Sequence, residues 1–148
     1  MALVLIDTNL LIYVYDRADP GRREQAIRVL DALQLNGAGR LSVQGLAEFA
    51  SASTRRLKPP LTQDQAVVEV ERWARAFPVY TLTPAVVLMA VRGARDYRLA
   101  YYDAQLWATA LLNQVPVIFS EDFADGTRLA NVRLVNPFAE EFVLADWV

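Results

Sequence analysis

Five short apolar runs, separated by longer stretches that carry the marks of helices, restrict the possible folds of this chain more than any other feature. The runs are residues 2 to 6, Arg40-Leu41-Ser42-Val43, Val79-Tyr80-Thr81-Leu82, Val117-Ile118-Phe119 and Val132-Arg133-Leu134-Val135. Strands that are apolar along nearly their whole length have both faces covered, and strands alternating with helices imply parallel pairing through right-handed crossovers. The expected architecture is α/β in three layers, a central parallel sheet of about five strands flanked by helices. Helix starts are explicit. Thr62 heads Gln63-Asp64-Gln65 as a Thr-x-x-Gln capping box, Thr83 precedes Pro84, and Asp19 precedes Pro20. The helix over residues 20 to 35 ends at Asn36-Gly37 and Gly39. With no repeat, low-complexity run or Ser/Gly-rich linker, residues 1 to 148 are expected to form one domain.

The first run ends in an acid, Leu3-Val4-Leu5-Ile6-Asp7-Thr8-Asn9. A carboxylate beside apolar residues is costly to desolvate unless something compensates it. Three further acids fall at comparable places. Glu48 lies on the helix after the second strand, in Leu46-Ala47-Glu48-Phe49-Ala50, with the small residues Ser51 and Ala52 beyond it. Asp103 begins the helix Asp103 to Leu111 and shares a face with Leu106, Trp107 and Ala110, so it points inward. Asp122 follows the fourth strand in Ser120-Glu121-Asp122-Phe123-Ala124-Asp125-Gly126. In an open parallel sheet, ligands bind beyond the carboxyl ends of the strands where strand order reverses, so Asp7 and Asp122 converge if strands one and four are neighbours.

The chain has no histidine, no cysteine and a single lysine, Lys58. Zinc-type sites are thereby excluded, whereas Mg²⁺ or Mn²⁺, which take oxygen ligands, remain as compensators. Each acid alone has a plainer role. Asp7 suits the cap of a helix beginning near Asn9, Asp103 the positive end of its own helix, Glu48 a solvated place beside Arg55, and the Ser120–Gly126 segment an acidic turn. Four together, without lysine or histidine partners, would repel one another in a fold that had no cation.

Arg55, Arg56 and Lys58 end one helix, and Arg92, Arg95 and Arg98 line another. Solvated surface is the plain reading of both groups. Phosphate binding is the sharper one, stronger for Arg55 and Arg56 because they follow Glu48 on its own helix. Tyr101, Tyr102 and Trp107 are read as core. A formal charge of -2 neither demands nor excludes a nucleic-acid partner. Zero cysteines exclude disulfides and suit a reducing compartment. No basic segment precedes the first apolar run and nothing approaches a membrane span, so a cytoplasmic protein is expected. The apolar fraction of 54% and the segment Pro84 to Val91, apolar on every face, point to a homodimer, with Phe142-Val143-Leu144 and Trp147 adding surface.

At this point the residues resemble a known family. Asp7-Thr8-Asn9, Leu46-Ala47-Glu48-Phe49, Tyr102-Asp103-Ala104, Ser120-Glu121-Asp122 and Asn136-Pro137-Phe138 stand in the order and spacing of a PIN-domain ribonuclease of the VapC toxin type. The resemblance implies a PIN-like fold with Mg²⁺ or Mn²⁺ held or organised by Asp7, Glu48, Asp103 and Asp122, with Thr8 and Ser120 as polar supports. It also implies RNA as substrate and a cognate antitoxin protein as partner. Where this chain has Asp125 the family often has histidine, which leaves that residue between a water-mediated metal contact and no role. Two other strand-Asp folds fit less well. A haloacid-dehalogenase-like phosphatase needs a second aspartate where Asn9 stands, and a response-regulator receiver needs an aspartate after the third strand, where Thr83-Pro84 follows, and a late lysine. The alternatives that stay open are a PIN nuclease that processes RNA without an antitoxin and a catalytically silent PIN-like interaction module.

Overall fold

The apolar strands sort their side chains to two sides. In the computed structural model, which describes residues 2–148, Val4 and Ile6 of β1 (Val4–Ile6) face one layer and Leu5 faces the other. Val117 and Phe119 of β4 (Val117–Phe119) likewise oppose Ile118. This two-residue alternation puts every residue of both strands in one of two cores, which is why the sequence shows no polar face. β2 is Gly39–Ser42, β3 Val79–Tyr80, β5 Arg128–Leu129 and β6 Val132–Val135. The strand order is β3-β2-β1-β4-β6-β5. All pairings are parallel except β5 with β6.

Sheet order reverses between β1 and β4, so the edge beyond Ile6 and Phe119 is the place where a ligand site is expected in such a fold. One layer holds α1 (Thr8–Tyr13), α2 (Pro20–Asn36), α3 (Val43–Arg55) and α4 (Gln63–Ala76), packed through Leu10, Val29, Leu33, Phe49 and Trp73. The other holds α5 (Pro84–Tyr97) and α6 (Tyr101–Leu112), packed through Val86, Ala90, Leu106 and Trp107. Gly93 lets these two helices touch, because a Cβ there would overlap the Trp107 ring. No helix is long and apolar enough to cross a membrane among the described residues.

The expected helix starts hold. Thr62 and Gln65 form the reciprocal capping box, Thr83 and Asp19 cap helices that open on proline, and Gly37 closes α2 at φ 75°. Several expectations need correction. The sheet has six strands rather than about five, because the short β5 joins as an antiparallel edge. β2 ends a residue early, since Ser42 caps α3 by accepting from Gly45 N at 2.9 Å and commits Val43 to helix. α6 begins at Tyr101, which moves Asp103 from the helix start into its first turn. Phe142 and Trp147 pack edge-on against Phe119, with centroids at 5.5 and 5.7 Å, so part of their apolar area is covered within the chain, while Val143 is exposed.

Candidate active site

Asp7 leaves β1 at its carboxyl end and caps α1, accepting a hydrogen bond from Thr8 N at 2.7 Å on one oxygen. Ser120, just past β4, donates its hydroxyl to the other oxygen at 2.6 Å. The same Ser120 Oγ accepts from Asp122 N at 3.1 Å and lies 3.4 Å from Asn9 Nδ2. Parallel pairing of β1 with β4 therefore ties Asp7 to Asp122 through one buried serine. The capping role is real and coexists with the convergence of acids.

Glu48 reaches the same place from α3. Thr8 Oγ1 stands 3.3 Å from Glu48 Oε2 and 3.0 Å from the Gly45 carbonyl, so its one proton is shared between two acceptors. Glu48 Oε1 accepts from Gln44 Nε2 at 2.8 Å, and that amide also donates to the Tyr102 carbonyl at 2.9 Å. Gln105 Nε2 holds Gln44 Oε1 at 2.9 Å, and Tyr101 OH holds Gln105 Oε1 at 2.9 Å. Gln44, Gln105 and Tyr101 thus form a relay that orients Glu48, and sequence reasoning did not find it. The signal was present in part, because Gln44 stands one helical turn before Glu48 and Gln105 is a buried amide in an apolar helix.

The four acids differ in exposure. Asp7 is buried, Asp103 is half-buried, and Glu48 and Asp122 face solvent. Burial pushes the Asp7 carboxyl up from 3.8 to about 6; the hydrogen bonds from Ser120 and Thr8 oppose this, and the charges of Asp122 and Glu48 add to it. Asp103 is also pushed up, first by desolvation and then by Asp122 and Glu48. The charges of Asp122 and Glu48 thus reach both Asp7 and Asp103. None of the four is ion-paired among the described residues. They do not close into a cage, however, since no group of three acids stands close enough to grip one ion directly among the described residues.

The donor set still fits a hard divalent cation. It is all oxygen, it includes a buried carboxylate without a cationic partner, and Asn9 Oδ1 is buried beside it with no hydrogen bond among the described residues. A cleft of about 630 Å³ opens over Asp7, Glu48 and Asp122 and is walled by Tyr13, Glu121, Arg55, Arg56 and Lys58. Asp103 does not line it. Of the aromatics expected in the core, Trp107 is there, whereas Tyr102 is 65% exposed. Asp125 accepts from Asn136 N at 2.8 Å, which fastens its loop to the end of β6.

The family model of the PIN domain matches residues 4–125 of this chain. Among solved structures, a toxin–antitoxin complex from Klebsiella pneumoniae is similar at TM-score 0.67 and 19% identity, covering 90% of this chain and 97% of the other. VapBC2 from Rickettsia felis, bound to a DNA fragment from its promoter, is similar at TM-score 0.67 and 13% identity, covering 90% and 98%. VapC20 from Mycobacterium tuberculosis, described as a sarcin–ricin loop cleaving toxin, is similar at TM-score 0.65 and 18% identity, covering 88% and 98%. No curated protein matches the chain in sequence.

Proposed function

Because this chain belongs to the PIN-domain family, we propose that it is a Mg²⁺- or Mn²⁺-dependent endoribonuclease that hydrolyses RNA phosphodiester bonds and acts as the toxin of a toxin–antitoxin pair. The observation that carries the chemistry is the convergence of carboxylates at the reversal of strand order, with Asp7 tied to Asp122 through Ser120, Glu48 held beside Thr8, and Asp7 and Asp103 each raised in part by the charges of Asp122 and Glu48, none of the four with a cationic partner among the described residues. A divalent cation bound there supplies positive charge to the phosphate and lowers the pKa of a water. Asp7 and Asp122 would be the anchoring ligands, Asp103 would reach the ion through water, and Glu48 would be a ligand or the group that orients the attacking water. Ser120 holds one oxygen of Asp7 and Gln44 one oxygen of Glu48, and both acids line the cleft. The protein supplies geometry and charge and no covalent nucleophile.

The antitoxin reading is supported by likeness in fold to chains solved in toxin–antitoxin complexes. An arginine or lysine of such a partner suits a cleft rich in unpaired carboxylates. Homodimerisation is supported by α5, which buries Val86 and Ala90 but leaves Val87, Leu88 and Val91 at 38%, 55% and 53% exposure. Purified protein incubated with single-stranded RNA and Mn²⁺ tests the activity. Cutting should stop with EDTA and in Asp7→Asn, and cutting that survives either removes the proposal. Expression of the chain alone should arrest bacterial growth, and unaffected growth at a soluble, well-expressed level would favour an RNA-processing nuclease without an antitoxin.

A further inference from the structure

The cleft over the acids has two unlike walls. One carries Tyr13, Asp16 and Glu121, and the other carries Ser51, Ala52, Arg55, Arg56 and Lys58. The three cations are exposed, and none is ion-paired among the described residues, although carboxylates stand in the same cleft. Arg22, by contrast, is engaged by Glu121 at 2.8 Å. The helix dipole accounts for Arg55 at the end of α3, but not for Lys58, which lies beyond the helix and turns into the same cleft.

Local structure fixes where these charges sit. Arg55 folds along its own helix, donating from Nη2 to Ser51 Oγ at 2.6 Å and from Nε to the Ser51 carbonyl at 3.3 Å. That keeps its guanidinium beside the small-residue stretch instead of across the cleft. Past α3 the chain is drawn back by Leu61 N donating to the Ser53 carbonyl at 2.9 Å, and Leu57 is buried, so Arg56 and Lys58 flank an anchored residue. Glu48, Ser51, Ala52 and Arg55 share one face of α3, and a rise of 1.5 Å per residue places Arg55 about 10 Å along the axis from Glu48. An extended strand with one phosphate at the acids carries its next phosphates along that axis, over residues small enough to leave room for the sugar. The facing wall, with Asp16 and Glu121, lends the cleft no cation of its own.

We infer that Arg55, Arg56 and Lys58 form a phosphate track that seats the backbone of single-stranded RNA on the α3 wall, on one side of the scissile bond only. The choice of RNA rests on the nuclease reading given above, whereas the track rests on the placement of the three cations. Arginine grips phosphate through its planar fork, and lysine acts as a point charge.

Binding measured without cleavage tests this. The parent is Asp7→Asn in Mg²⁺, read by anisotropy of a short fluorescein-labelled single-stranded RNA over a range of salt. Adding Arg55→Gln, Arg56→Gln and Lys58→Gln removes three phosphate contacts, which should flatten the salt slope by about 2 and weaken binding by about 50-fold at about 0.15 M salt relative to 1 M. Arg55→Lys with Arg56→Lys should keep the slope. The three side chains are exposed, so an unchanged melting temperature shows that the variant is folded. In the wild-type background the same triple variant should raise KM and leave kcat within about twofold. Unchanged affinity and slope, or a parent that binds no RNA, overturns the track even if the protein cuts RNA. A triple variant that keeps RNA affinity but loses a co-purifying protein also overturns it, in favour of an acidic protein partner on this wall. If the track variants weaken binding while wild type cuts nothing, the nuclease reading alone has failed.

Discussion

Replacing Asp7 by asparagine should make the metal-free protein more stable above pH 6 and not below pH 4. An acid whose folded pKa lies above its unfolded value binds its proton more tightly in the fold. Its contribution to stability is fully present below the unfolded value of 3.8 and is lost as pH rises through the folded value of about 6. At 1.36 kcal/mol per pH unit, that interval corresponds to about 3 kcal/mol of stability lost on ionisation. The amide in the Asp7→Asn variant does not ionise and keeps the acceptor for Thr8 N, but it can present its NH₂ group to Ser120, and the lost hydrogen bond costs about 1 kcal/mol. The net gain near neutral pH is about 2 kcal/mol, which for a chain of this size raises the melting temperature by about 4–8 °C. Melting followed by circular dichroism in EDTA, across a pH series from acid to neutral, reads this directly. The wild-type curve should fall relative to that of Asp7→Asn as pH passes from 4 to 6. Parallel curves would refute the idea that burial of this carboxylate is costly, and with it the argument for a compensating cation.

Added Mn²⁺ should raise the melting temperature of the wild type more than that of Asp122→Asn, since a ligand present at a hundred times its Kd stabilises by about 2.7 kcal/mol; equal shifts would remove Asp122 from the binding set. Gln44→Ala should lower RNA cleavage by about 10–100-fold, because its amide holds Glu48, and should also lower the melting temperature, because the Tyr102 carbonyl and the buried Gln105 amide lose their partner at about 1–3 kcal/mol. Leu88→Glu together with Val91→Glu should convert a dimer seen by light scattering into a monomer of undiminished helix content, and a wild type that is monomeric at micromolar concentration would count against the dimer.

The fold was legible where both faces of a strand are covered. β1 and β4 are apolar throughout because one residue set serves each core, and Asp19, Thr62 and Thr83 announced their helices chemically. β5 was not legible, being two residues long and turned by Ala130, which adopts φ 52° without the glycine that would have marked it. The start of α6 was misplaced for a related reason. Ala100 caps it with no side-chain hydrogen bond, so Asp103 looked like the first signal. The four acids stood out in the sequence because carboxylates beside apolar runs are conspicuous, and Asp7, Glu48 and Asp122 line one cleft. Their supports were not, since Gln44 finds the Tyr102 carbonyl 58 positions away and only the fold brings them together. Asp125 accepts from Asn136 N and so fastens its loop to the end of β6, a local contact that spacing in the sequence did not signal.

Asp7, Glu48, Asp103 and Asp122 are proposed to serve hydrolysis of RNA by water under a divalent cation. The most direct measurement is the chemistry of the ends left on a single-stranded RNA cut in Mn²⁺, with EDTA and Asp122→Asn reactions alongside. Attack by water predicts products with no 2′,3′-cyclic phosphate and no cutting in either control. Cyclic phosphate ends, or cleavage that persists in EDTA, would contradict it.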